Sequence, residues 1–233
     1  MKAKLLRAID KGSAHEGELV RFVVDEPAHG DGTWNAKDHL AHLSWWRHRS
    51  AQTLDAMRTD GEIPPPVDDD DNVQNAIIYA AIKDRPAAAV KADARESWAA
   101  LRNAVAASSE EDLAKHHPRQ KESQAWEAVP GAVGHSGTHV WSWYLDIGDA
   151  ERAIEGALWS AEIEERFFST PEKLATSRYN LACVYARLGR VEEALPLLRA
   201  SFAARPSAKA WARKDSDLDR IREVPEVKEL LAT

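Results

Sequence analysis

Apolar residues recur at three- and four-residue steps along almost the whole chain, and no strict alternation is sustained, so the pattern predicts an all-α protein. Residues 1–24 carry such a stripe as a first helix, which PAHGDG at residues 27–32 breaks, because proline and glycine cannot continue it. Asn35 then caps a second helix running to about Thr59, and Asp38 three residues on gives a capping-box-like pair suited to the positive helix end. GEIPPPVDDDD, residues 61–71, reads as a solvated linker of three prolines and four like charges. A short helix follows over residues 72–83. Pro86 marks a kink or the first turn of a helix to about Ala107, striped by Trp98, Leu101 and Val105. Residues 108–129 lack periodicity and read as a long connection rather than a core element. Residues 130–147 form another helix, ended by Gly148 as a left-handed cap.

From there the pattern repeats itself. Tyr144, Gly148 and Ala153 reappear at a fixed shift of 41 residues as Tyr185, Gly189 and Ala194. An aromatic, a tight glycine turn and a small packing residue at this spacing describe two helices folded against each other, the unit of helical-repeat proteins. YNLACVYARLGRVEEALPLLRASFAARP resembles a tetratricopeptide repeat, and DSDLDRIREVPEVKEL resembles the capping tail that follows such repeats; together they cover residues 176–231.

Composition narrows the chemistry. The 233 residues carry a net charge of −7, which excludes a nucleic-acid backbone as the main partner, because counterion release needs clustered Lys and Arg. No run approaches the ~20 apolar residues of a membrane span, and the charged start MKAKLLRAIDKGS is unlike a signal peptide, so a cytoplasmic protein is expected. With one cysteine, Cys183, there is no internal disulfide and no multi-cysteine metal site; a metal must rely on His and carboxylate. Nine His allow that, and nine Trp imply an aromatic core or an indole-lined pocket.

The sharpest constellation is His135-Ser-Gly-Thr-His139, two imidazoles on one helical face that can reach one ion. The second helix offers His39, His42 and His48 as a third ligand. Leu40, Leu43, Leu54 and Met57 form its stripe; His39 borders that stripe with Trp46, and His42 lies further round beside Trp45. The wheel leans to His39, but the helix is apolar around most of its circumference there, and both remain open. Trp45, Trp46, Trp141 and Trp143 flank these ligands as pocket candidates. His116-His117 is a candidate acid/base on a loop, Cys183 a packing residue of the repeat, and Asp38 a helix cap able to orient an imidazole.

TWNAKDHLAHLSWW resembles the second-helix signature of the DinB-like four-helix bundle superfamily, in which a Trp opens the helix and a His follows eight positions later; here these are Trp34 and His42. In metal-binding members that His joins an HxxxH pair on the last bundle helix, where His135 and His139 fall. The resemblance covers residues 1–148 and implies a divalent metal, Zn, Ni or Fe, on His42, His135 and His139. WNAKDHLAHLSWW and NAIIYAAIKDRPAAAV look most like the branch of colibactin self-resistance (ClbS/DfsB-like) proteins, which implies hydrolytic opening of a reactive electrophile, whereas His135 leans to the metal-binding branch of thiol-dependent transferases and isomerases.

The expectation is therefore a DinB-like four-helix bundle over residues 1–148 and tetratricopeptide-like hairpins over residues 149–233, the last bundle helix being shared. It would act as a metal-dependent hydrolase or thiol transferase on a small-molecule substrate, as a homodimer like its relatives. The alternative is a non-catalytic adaptor that binds a protein or peptide through the repeat region.

Overall fold

The computed structural model describes residues 1–26, 33–68 and 70–232, and among them the regular elements are eleven α-helices and two 3₁₀ turns, with no strand. The chain divides into two compact units, Met1–His139 and Val140–Thr233. The break expected at residues 27–32, and Asp69 of the acidic linker, lie outside the described residues. Among the described residues, no helix is long and apolar enough to cross a membrane.

In the first unit, α1 (Lys2–Val20), α2 (Ala36–Thr59), α4 (Ala87–Ala107) and the first part of α6 (Ala128–Asp146) form a four-helix bundle. Its core is the stripe each helix presents: Leu5, Ile9 and Leu19, then Leu40, Leu43 and Leu54, then Val90, Trp98, Leu101 and Val105, then Val129 and Val133. At Gly12 the helices meet so closely that a Cβ would lie 2.7 Å from the Trp98 ring and 2.9 Å from Val133, so any larger residue must push both aside.

One side chain from each helix meets at Arg47. The guanidinium binds Glu16 of α1 through both nitrogens, one contact at 2.9 Å. It also donates to Ser97 of α4 at 2.9 Å, to Ser136 of α6 at 3.2 Å and to Ser44 at 3.3 Å, and lies 4.4 Å over the Trp98 ring. Trp98 Nε1 donates to Glu16 at 2.9 Å. Arg47 is 0% and Glu16 1% exposed, and the pair persists because each guanidinium nitrogen donates and both carboxylate oxygens accept.

Three boundaries differ from the sequence pattern. The first helix ends at Val20 rather than Val24: the chain turns so that Val23 is buried and the Asp25 carboxylate accepts from Ala87 N at 2.7 Å, capping α4 across 62 residues. α3 (Asp71–Ile82) starts inside the acidic run, because Asp70 Oδ1 accepts from Asn72 N and Val73 N; one carboxylate of the expected linker is a helix cap. Residues 108–129 are more than a connection. They contain α5 (Glu110–Ala114), whose capping box is Ser109 with Asp112, and a 3₁₀ turn over Ala125–Glu127, and they bury Leu113 and Ala125. α6 follows from Ala128, two residues early, because Pro130 fits a first turn where its missing N–H has no bond to lose.

In the second unit, α8 (Pro171–Arg187) packs against both α7 (Ala150–Phe167) and α9 (Val191–Ala204), and α10 (Ala208–Ala212) and α11 (Pro225–Ala232) close one end. Tyr179, Cys183, Leu198, Phe202, Leu218 and Ile221 are central to the core there. The 41-residue shift is visible in the backbone. Asp149 N donates to Tyr144 O at 2.8 Å and Gly148 N to Leu145 O at 3.1 Å, while Arg190 N donates to Tyr185 O at 2.8 Å and Gly189 N to Ala186 O at 2.9 Å. Gly148 and Gly189 have φ of 82° and 74°, a left-handed region that costs a side chain but not glycine. Ala153 and Ala194, both 0% exposed, occupy equivalent places after the turns.

Candidate metal centre

The site lies in the first unit, where α2 and α6 face each other. The Asn35–Asp38 capping box fixes the first turn of α2: Asp38 N donates to Asn35 Oδ1 at 3.0 Å and Asn35 N to Asp38 Oδ2 at 3.2 Å. From that anchored start His39 and His42 project one turn apart; from α6, His135 and His139 project four residues apart. One ring nitrogen from each of His42, His135 and His139 lies within 4.8 Å of the others. Ring centroids are 5.3 Å apart for His42 and His135, 4.8 Å for His42 and His139, and 4.7 Å for His135 and His139.

His39 stands beside this cluster rather than in it. Its Nδ1 meets His139 Nδ1 at 2.7 Å, and on the other side of the same ring His139 Nε2 meets His135 Nε2 at 3.0 Å. The geometry thus separates two residues that the helical wheel left open: His42 joins the three-nitrogen group, and His39 meets His139 on its far nitrogen.

All four rings are held neutral. Burial pushes His39 down to about 3, helped by His135, and His42 down to about 2, helped by His135 and then His39. Burial and then the Arg47 charge bring His135 to about 4, and His139 falls well below its usual value through burial and then its imidazole neighbours. A neutral imidazole has a lone pair to give, which is the form a metal requires. No carboxylate joins the cluster among the described residues.

These residues fit a divalent ion. Two imidazole nitrogens on one first-row ion, each at about 2.0–2.1 Å, end up about 3 Å apart when the angle between them is near a right angle, which is the His135–His139 separation seen here. His42 Nδ1 is buried without a hydrogen-bond partner among the described residues. A neutral ring nitrogen without such a partner keeps its lone pair open to a ligand.

The wall of the site includes residues that sequence reasoning did not single out as pocket groups. The Trp34 ring lies 5.5 Å from His39 and 4.9 Å from His42, and stacks nearly parallel on His139 at 5.7 Å. Tyr79 of α3 also stacks on it at 5.7 Å. Trp34 was legible as the residue opening α2; Tyr79 gave no signal, since its place depends on how α3 folds back. Of the indoles expected to flank the ligands, Trp46 lies 6.2 Å from His42 and 6.5 Å from His135, whereas Trp45 turns to Trp46 and to Arg49. Trp141 and Trp143 fall in the second unit, where Trp141 packs against Gly156.

The remaining candidates have other bonds. His48 Nε2 meets Asp93 at 2.9 Å, away from the cluster. His116 Nδ1 meets Lys121 O at 2.9 Å, and His117 Nδ1 accepts from Arg119 N and Gln120 N, so both build their loop. Cys183 is buried in the second unit beside Tyr179.

A helical bundle with a neutral three-imidazole cluster between two of its helices defines a class of metal-capable helical proteins. A family model of the DinB superfamily matches residues 22–142, just over half of the chain, and the chain belongs to that superfamily, whose members are often metal-binding. No curated protein and no solved structure matches it.

Proposed function

We propose that the protein is a metal-dependent enzyme that holds one divalent ion, zinc, nickel or iron, on His42, His135 and His139 and carries out hydrolysis or transfer on a small electrophilic molecule. The observation that carries this reading is the meeting of three neutral ring nitrogens from two helices within 4.8 Å. A divalent ion bound there supplies Lewis acidity, bringing a water or a thiol to its nucleophilic form near neutral pH.

The chain's own residues set the conditions. A donor set without carboxylate leaves the positive charge of an ion uncompensated, which favours an anionic nucleophile and a substrate that develops negative charge. Trp34 and Trp46 set apolar rings against the imidazoles, so a compact electrophile sheds water on entering. Water is the nucleophile in the branch of the electrophile-opening self-resistance proteins that this sequence resembles, and a thiol in the transferase branch. The chain is proposed to work in the cytoplasm as a homodimer.

The test is the metal content of protein made without a His tag, then incubated with zinc, nickel or iron and desalted. About one tightly held ion per chain is expected. Turnover of a simple epoxide, with and without added thiol, separates hydrolysis from transfer. A chain that retains no ion after any of the three incubations rejects the proposal.

A second reading, a tetratricopeptide-like adaptor, is favoured by one observation: Leu158, Trp159 and Leu181, with Glu155, Glu162 and Glu165, line an open cleft of about 520 Å³ on α7 and α8. It would hold a protein or peptide segment. Retained partner binding by a metal-free His139→Ala chain would favour it.

A further inference from the structure

The shortest polar contact of the site involves a residue outside the three-nitrogen group. His139 lies between two other imidazoles, with Nδ1 at 2.7 Å from His39 Nδ1 and Nε2 at 3.0 Å from His135 Nε2. A neutral imidazole has one N–H and one lone pair, so the two nitrogens of His139 must play opposite parts. When Nε2 gives its lone pair to an ion, the proton sits on Nδ1, and the group facing that proton is His39 Nδ1. His39 must then accept, which places its own proton on Nε2.

The fold holds His39 for this. The ring is 5% exposed, and the residue belongs to the first turn of α2, where its N–H bonds Asn35 O at 3.1 Å behind the capping box. Trp34 meets it edge-on at 5.5 Å. Held there, the ring meets the back of His139 at 2.7 Å.

We infer, resting on the metal reading above, that His39 is the positioning residue of His139: it accepts the Nδ1 proton and thereby fixes the tautomer that offers Nε2 to the ion. Ligating imidazoles commonly donate to a carboxylate, a carbonyl or a water. Here the acceptor is a neutral ring. It orients the ligand as a carboxylate does, without pushing negative charge onto it, so the ion stays electron-poor.

The experiment compares zinc affinity, by competition with a chromophoric chelator, for the parent and for His39→Leu, His39→Asn and His39→Gln. Histidine Nδ1 stands two bonds from Cβ, as does the asparagine amide oxygen; the glutamine oxygen is one bond further. His39→Leu is expected to bind zinc at least about tenfold more weakly, with most of the loss recovered in His39→Asn and little in His39→Gln. Long-range proton–nitrogen NMR of the zinc-loaded parent should show His139 protonated at Nδ1 and zinc-bound at Nε2. Equal zinc affinity in the parent and His39→Leu, or a His139 bound through Nδ1, overturns the inference and leaves the metal site standing. A parent that binds no zinc overturns both. The NMR readout uses the parent alone, so it decides even if the leucine variant does not fold.

Discussion

Each unit of this protein gathers three groups able to hold a metal, and the two gatherings differ in kind. In the first, burial drives His42, His135 and His139 towards the neutral base, the form that binds a cation. In the second, Cys183, Asp215 and Asp217 also lie within 4.8 Å, but burial drives Cys183 and Asp217 up, towards the protonated acid. Asp215 is already occupied: it accepts from Tyr179 Oη at 2.8 Å and from Asp217 N at 3.1 Å. Burial therefore prepares imidazoles for a metal and unprepares thiols and carboxyls, and proximity alone does not make a site.

The largest loss of stability is expected at the polar centre of the bundle. Arg47→Met leaves Glu16 buried without its partner and should cost about 3–5 kcal/mol; Asp217→Asn, at a partly exposed position, should cost far less. Chemical denaturation measures both, and similar losses would mean that the first unit has no special dependence on its buried charge. Next in size, His139→Ala should weaken metal binding by about a hundredfold, some 2.7 kcal/mol, while Cys183→Ser leaves it unchanged. Metal analysis after dialysis decides between the two clusters. Gly189→Val forces a β-branched residue into φ of 74° and should destabilise the second unit by about 1–2 kcal/mol, without changing metal content.

The most discriminating test is pH, because the two units should respond to it in opposite senses. An imidazole at 6.5 when unfolded and about 4 or below when folded contributes stability above 6.5 that fades as pH falls towards 4. Glu164, raised from 4.5 to about 7 by burial, does the reverse: its contribution is full below 4.5 and is lost as pH rises to 7. Hydrogen-exchange protection of metal-free protein should accordingly fall in α2 and rise in α7 between pH 7 and pH 5. A parallel change in both would sink the distinction.

What the sequence made legible was local. The start of α2 could be read because Asn35 and Asp38 bond each other within one turn, and the ends of α6 and α8 because Gly148 and Gly189 take the same left-handed turn. The end of α1 could not, since the Asp25 carboxylate serves a helix 62 residues away. The choice between His39 and His42 was beyond a helical wheel for a related reason: α2 is buried on several sides, and both rings face α6. Arg47 and Glu16 gave no signal at all, because pattern reading assigns charges to the surface, and only the folded bundle shows that each is the other's solvent.

That pairing also sets an address. Sliding α2 by one helical turn, about 5.4 Å, would carry the guanidinium away from Glu16, Ser97 and Ser136 together, leaving a bare charge in hydrocarbon. Leucines along the same helices would tolerate such a slip far better. Ser136 adjoins His135, so the register that satisfies Arg47 is the register in which the imidazoles of α2 and α6 converge. A side chain outside the three-nitrogen group thus decides where its members stand.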